Sequence, residues 1–460
     1  MDRTESGGAL RGLGEERKRD SGVRLGARQL WTWAIIIGLG GGVLALGYYG
    51  LMRTMLDWVW TGGAGIDPAH LAETPTFHPI ILVITTIGGL LVGLVLHLLG
   101  TPGEIAAVVN NIHMEHGRID TRQTPSMVAA SLVSIIAGGS AGPEAPLVQI
   151  IGSFGSWVGD RLRLSGDFVR TFTFCGMAAA LGAFFGAPLG GALFALEIPH
   201  RRGLEYYEAL MPSIISAVVA FFVFRSVVGY DGPLYHLAVV PHLSVWTIAI
   251  GLAAGLGGGL VGILFVAVFT RIERLLHPLV HRKILLATLG GLVIGLIAQV
   301  MPATLFWGEY QIDGLLSSGE ALCSGVGLWG AVGLLLLLAM LKMIAVGATL
   351  HSGFRGGFIF PLFLIGGAVG LAASLAASAV FPQVPAPVII LCMMAATNVA
   401  VTKTPVATTV ILTSLSGTAF MPALAAACLA SFLLTTRVTL IPTQRSRSRH
   451  PAMEAIGVVQ

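Results

Sequence analysis

Along the chain, long apolar runs alternate with short polar or charged breaks. Residues 31–51, 79–99, 209–228, 244–270, 284–300 and 327–350 are clear apolar spans. Each comes near the roughly 20 residues that a membrane-crossing helix needs. Eight other apolar segments do not fit that template: 123–138, 146–158, 169–185, 188–198, 361–381, 386–400, 405–416 and 420–436 are short or interrupted by Gly and Pro. This pattern predicts tilted or broken helices that stop inside the bilayer. Their ends carry N–H and C=O groups that lipid cannot satisfy, so they are tolerated only in a protein interior or beside an aqueous cavity. The expectation is an all-α polytopic membrane protein built around a polar pathway. Residues 61–79, 114–125 and 225–236 read as loops, and 200–208 and 271–283 as charged connections.

Two halves resemble each other on either side of 271–283. Gly142-PEA-Pro146-Leu147-VQII-Gly152 can be laid on Gly357-FIF-Pro361-Leu362-FLIG-Gly367, both reading G-x3-P-L-x4-G. APLGGALFALE (187–197) can be laid on TPVATTVILTS (404–414), and the prolines of the two anchors lie 42 and 44 residues apart. Matched interruptions in two halves point to a site near the bilayer midplane. The repeats are expected at about 79–228 and 284–440.

Composition supports the membrane reading. The chain has 460 residues, 55% of them hydrophobic and 11% charged, against about 25% charged for soluble domains. Its 61 glycines suit close helix packing. Cys175, Cys323, Cys392 and Cys428 form no CxxC pair and read as small core residues. No metal site or cofactor is expected. HMEH (113–116) is not HExxH, and no P-loop or catalytic triad is readable.

Charge sets the expected topology. Residues 1–30 form a basic N-terminal segment without a signal-peptide pattern, 31–442 the transport domain, and 443–460 a short basic tail. Both ends read as cytoplasmic, which requires an even number of crossings. The expected location is the cell membrane, in contact with lipid, with no nucleic-acid partner.

The interrupted segments carry the candidate chemistry. In HSGFRGGFIFPLFLIGG (351–367), Gly356 and Gly357 let backbone approach a ligand. Pro361 suits an early helical position. Helix N-termini bind anions through free N–H groups and a partial positive charge. SAGPEAPLVQ has the same build around Gly142 and Pro146. Two such N-termini aimed at one cavity would hold a small anion without a full positive charge, which would slow its passage. Glu144 precedes one of them, so its carboxylate can occupy the anion's place and leave on protonation or displacement. It reads as a gate and proton acceptor.

Other charges read differently. Glu104 is expected to cap a helix, and Glu197 to face cytoplasmic water. Arg355 and Lys403, beside the repeated breaks, read as snorkelling or structural residues. The other reading is positive potential at a vestibule mouth. Lys342 is expected to pair with a carboxylate.

Over roughly 35–442 the chain resembles the CLC family of chloride channels and proton/chloride antiporters. The motifs are GPEAPLVQIIG (142–152), FGAPLGGALFALE (185–197) and SGFRGGFIFPLFLIGG (352–367). The resemblance implies two inverted-topology repeats, a homodimer with one pore per subunit, and chloride movement gated by Glu144. It places anion-binding amides at Phe358 and Ile359; Gly357 and Gly142, at the two helix starts, are further anion-binding candidates. Some positions depart from the family. Gly100 stands where the family has a pore serine, leaving Thr101 as the candidate hydroxyl. Ile441 stands near its pore tyrosine, Ala145 follows the gating glutamate, and Ile198 replaces the internal proton-transfer glutamate. Channel and proton-coupled antiporter both stay open, as does a fluoride- or nitrate-selective relative. The competing readings are another inverted-repeat transporter, with a larger cavity and several side-chain donors, and an intramembrane enzyme.

Overall fold

The computed structural model describes residues 22–71, 76–229, 244–316, 325–379 and 385–445, with Gly232, Tyr235, Leu237, Pro241 and Cys323 besides. The basic ends 1–21 and 446–460, and most of the expected loop beyond Gly229, lie outside the described residues.

Sixteen α-helices follow one another among the described residues. In the first half they are α1 (Ala27–Leu56), α2 (Pro79–Leu98), α3 (Ile105–Met114), α4 (Thr124–Ile136), α5 (Glu144–Arg161), α6 (Gly166–Phe185), α7 (Pro188–Glu197) and α8 (Leu210–Val228). In the second they are α9 (Val245–Leu276), α10 (Lys283–Val300), α11 (Glu309–Leu316), α12 (Leu328–His351), α13 (Ile359–Ser378), α14 (Ala386–Thr402), α15 (Pro405–Ser416) and α16 (Met421–Leu434). The protein is all-α, and among the described residues eight helical segments are long and apolar enough to cross a membrane. Helices α3, α4, α7, α15 and α16 have 10 to 14 residues. At 1.5 Å per residue they are too short for a core of about 30 Å.

The packing repeats. Helix α6 lies against α1, α5, α7 and α8, and α14 lies against α9, α13, α15 and α16. Likewise α4 packs on α2 and α5, and α12 packs on α10 and α13. The halves meet where α2 runs along α10, α7 meets α15, and the starts of α5 and α13 face each other.

Several expectations need correction. Segment 169–185 and the 361–378 part of segment 361–381 are not interrupted: each lies in a continuous, mostly buried 20-residue helix, α6 and α13. Their glycines allow close packing instead of breaking the backbone. A Cβ on Gly366, for example, would come within 2.6 Å of the Met393 carbonyl on α14. The run 244–270 extends to Leu276 and takes up part of the connection placed at 271–283. Cys175, Cys392 and Cys428 are buried as expected, but Cys323 is partly exposed.

The buried lysines act as helix-end and loop anchors. Lys342 does not pair with a carboxylate. Its ammonium donates to the carbonyls of Thr304, Leu305 and Phe306 at 2.9, 3.3 and 2.7 Å. Three donors on one Nζ match three turn carbonyls that no helix satisfies. Lys403 does not snorkel to water. It ends α14 in the left-handed conformation and donates to the carbonyls of Ala400 and Thr435 at 2.6 and 2.7 Å, closing the ends of α14 and α16.

Candidate functional site

The two sequence anchors touch. Gly142 and Gly357 form an antiparallel bridge, with Gly142 N–H donating to Gly357 O at 2.8 Å and the reverse bond at 2.6 Å. Helix α5 starts two residues after one glycine, and α13 two residues after the other. Pro146 and Pro361 each sit at the third helical position, where a missing N–H breaks no helical bond.

Glu144 opens α5 and is 1% exposed. Its Oε1 crosses to the other half and accepts from Ile359 N–H at 2.9 Å and Phe360 N–H at 3.4 Å. These are first-turn amides of α13, which otherwise lack partners. A carboxylate on them gains from charge-assisted hydrogen bonding and from the helix dipole. Oε2 is buried without a hydrogen-bond partner. Both glycines are needed for this fit. A Cβ on Gly357 would lie 2.5 Å from Glu144 Cγ and 2.6 Å from Oε1, and one on Gly142 would collide with Oε2.

Cavities lead to this point. A chamber of about 340 Å³ is lined by Thr101, Glu104, Glu273, His277, Lys283, His351 and Arg355. A second, of about 90 Å³, is lined by Glu104, Ala145, Gln149, Arg355, Phe358 and Ile441 among others. Glu104, Leu350 and Arg355 belong to both. Even the smaller volume exceeds the roughly 10–15 Å³ that one water needs. A third, apolar space touches Glu144 itself, together with Ile105, Val148, Leu181, Phe194, Ile198, Phe358 and Ile359.

The structure therefore brings together Glu144, Gly142, Gly357, Phe358 and Ile359. Ile441 lines the 90 Å³ cavity beside Phe358, and Ile198 lines the apolar space beside Glu144. Thr101 stands apart. It is exposed in the larger chamber, beyond Glu104 and Arg355.

Two carboxylates behave differently from expectation. Glu104 occupies the N-cap position of α3 without capping it. Its side chain pairs with Arg355 Nη1 at the junction of the two chambers. Arg355 is 6% exposed, its own N–H donates to Ser134 Oγ at 2.8 Å, and its position matches the vestibule reading, not the snorkelling one. Glu197 does not face water. It is 4% exposed and accepts from Val406 and Ala407 N–H at 3.2 and 2.8 Å. The last residue of α7 thus caps the start of α15, so the second pair of anchors also meets end to start.

The sequence reading passed over Gln149, a buried polar residue facing the 90 Å³ cavity. The signal was a glutamine inside LVQII, five residues after Glu144. It also missed the Glu104–Arg355 pair. Both residues adjoin Gly breaks, but 251 positions separate them.

Comparison with known proteins agrees with this architecture. A family model described as voltage gated chloride channel matches residues 88–436. The "Chloride/fluoride channel protein" of Pseudomonas syringae pv. tomato is 27% identical over 394 residues, covering 84% of each chain. A CLC-type fluoride/proton antiporter has a similar fold, with a TM-score of 0.76 at 20% identity over 91% of this chain and 98% of that one. So does a slow cyanobacterial Cl−/H+ antiporter, at 0.74 and 20% over 90% of this chain and 95% of the other. With the matched span well over half of its length, and its two halves meeting at a buried glutamate, this membrane protein belongs to the voltage gated chloride channel family.

Proposed function

We propose that the chain passes a small halide, chloride first, through a pathway closed at one point by the Glu144 side chain. One observation carries this reading: a buried carboxylate holds the first-turn amides of α13 in place of an anion. An entering anion competes for the Ile359 and Phe360 N–H groups. The acid swings away when it is outcompeted or protonated. Phe358 and Ile441 form the apolar collar at the end of the 90 Å³ cavity, where the ion sheds water. The Gly142–Gly357 bridge holds both helix starts in register, and Thr101 contributes only to the outer chamber. The names of the similar proteins, chloride/fluoride channel and fluoride/proton or Cl−/H+ antiporter, support a small halide as cargo.

Whether protons move too turns on the space behind Glu144. Its lining of Ile105, Val148, Leu181, Phe194 and Ile198 offers no second titratable group. This favours passive conduction. In the alternative, antiport, water carries the proton past Ile198. The basic ends support a cytoplasmic location for both termini in the cell membrane. Two copies with one pathway each form the working unit.

Efflux from chloride-loaded liposomes, recorded together with pH, tests these points. Robust flux without uphill proton movement is the expected result, and proton uptake driven by a chloride gradient would replace the passive reading with antiport. Glu144→Gln keeps the shape but loses the charge, so its hold on the amides weakens to that of a neutral acceptor. Flux is expected to change several-fold and any pH response to vanish. An unchanged flux and pH response would remove Glu144 from the gate. Parallel runs with fluoride and nitrate rank the anions.

A further inference from the structure

A second polar cluster lies at the far end of α3. There His113 packs against the turn 198–206 that joins α7 to α8. His113 Nε2 is 2.9 Å from the Pro199 carbonyl, and Nδ1 is 3.1 Å from the Tyr206 hydroxyl. His200 Nδ1 is 3.0 Å from the Leu196 carbonyl. A carbonyl can only accept, so each neutral ring carries its hydrogen on the nitrogen facing that carbonyl. The lone pairs left are His113 Nδ1 and His200 Nε2. The second is buried, has no hydrogen-bond partner, and stands 3.6 Å from Glu205 Oε2. One donor atom from each of His113, His200 and Glu205 lies within 4.8 Å of the other two.

We propose that His113, His200 and Glu205 bind one divalent transition-metal ion of the zinc type. Two imidazoles and a carboxylate are a zinc donor set that leaves one coordination position open. The backbone carbonyls behind both rings fix the tautomers, as the outer partners of metal-bound histidines do. The alternative, a polar cluster satisfied within the protein, leaves the buried His200 Nε2 with no hydrogen bond and only the Glu205 carboxylate at 3.6 Å. The donors must close in to about 2.0–2.2 Å from the ion. The Tyr206 hydroxyl must also turn from His113 Nδ1. Glu205 is partly exposed and provides the way in.

Nearby charge bounds the affinity. Arg170 lies over the Tyr206 ring at 4.4 Å, and Arg445 approaches Met114. Both oppose a dication, while Glu205 offsets one of them. The motif is invisible to spacing rules because its ligands lie 87 and 5 residues apart.

The test is calorimetric titration of Zn2+ into the full chain, without a polyhistidine tag, after chelator treatment in detergent. One saturable Zn2+ per chain is expected. His113→Ala and Glu205→Gln should each weaken binding at least ~10-fold, the lower end for disturbing a zinc site. His281→Ala, at an exposed histidine elsewhere, should leave binding unchanged. Glu205 is only partly buried and its variant keeps the shape, so it stays informative even if a histidine variant fails to fold. No saturable binding below about 1 mM, or equal affinity in wild type and Glu205→Gln, would overturn the site.

Discussion

Replacing Gly357 with alanine would act on the gate through a single collision. The three atoms nearest to a Cβ at 357 all belong to the Glu144 side chain, with Cγ at 2.5 Å and Oε1 at 2.6 Å. Gly357 does not have positive φ, so alanine meets no backbone strain. The methyl group therefore competes with the carboxylate for one place, and the flexible side chain gives way. Glu144 then loses its bonds to Ile359 and Phe360. A hydrogen bond to a charged group contributes about 1.5–3 kcal/mol, the longer one less. Overpacking typically costs about 1–3 kcal/mol. A net penalty near 2 kcal/mol on the closed arrangement shifts the open-to-closed ratio by about 30-fold, at 1.4 kcal/mol per factor of ten. Chloride efflux from liposomes should rise by about tenfold or to the open-pore limit, whichever comes first. The decisive comparison repeats the substitution in a Glu144→Ala background, where the methyl has nothing to displace. There Gly357→Ala should change flux by less than about twofold. An equal effect in both backgrounds would show that alanine acts by deforming the pore, and the gating argument would fail.

Three further substitutions probe the surrounding structure. Arg355→Gln leaves Glu104 as an unpaired negative charge where the two chambers join, so anion flux should fall several-fold, and adding Glu104→Gln should restore most of it. If the double variant stays as slow as the single one, the pair does not set the potential there. Lys342→Met strands three buried carbonyls and should destabilise the protein by about 3 kcal/mol or more. A thermal unfolding midpoint equal to wild type would refute that role. Glu197→Ala removes the cap on α15 and should cost about 1–2 kcal/mol of stability with little change in proton coupling, as unfolding and pH-resolved flux can separate.

Sequence by itself determined the class of protein and the place to look. Apolar length marked helices able to cross lipid. Four of the runs too short for that are helices of 10 to 14 residues, α4, α7, α15 and α16, whereas the equally short α3 lies outside the marked runs. The twin G-x3-P-L anchors located two helix starts, and a carboxylate between prolines singled out Glu144. These features are local, fixed by dihedral limits and by the cost of unpaired backbone in lipid. What glycine does in an apolar run is not local. Gly357 admits a carboxylate, whereas Gly366 admits a neighbouring helix, and only the neighbour decides which.

The same holds for the charged residues. Glu197, Lys342 and Lys403 look alike in one dimension: single charges at the edges or centres of greasy runs. Tertiary structure gave Glu197 to the start of α15, Lys342 to three turn carbonyls, and Lys403 to two helix ends. Each charge went to whichever backbone groups the fold left unpaired nearby, and those lie up to 210 residues away. A charge's partner depends on which helix ends meet, and that follows from packing the whole chain, which no window of sequence contains.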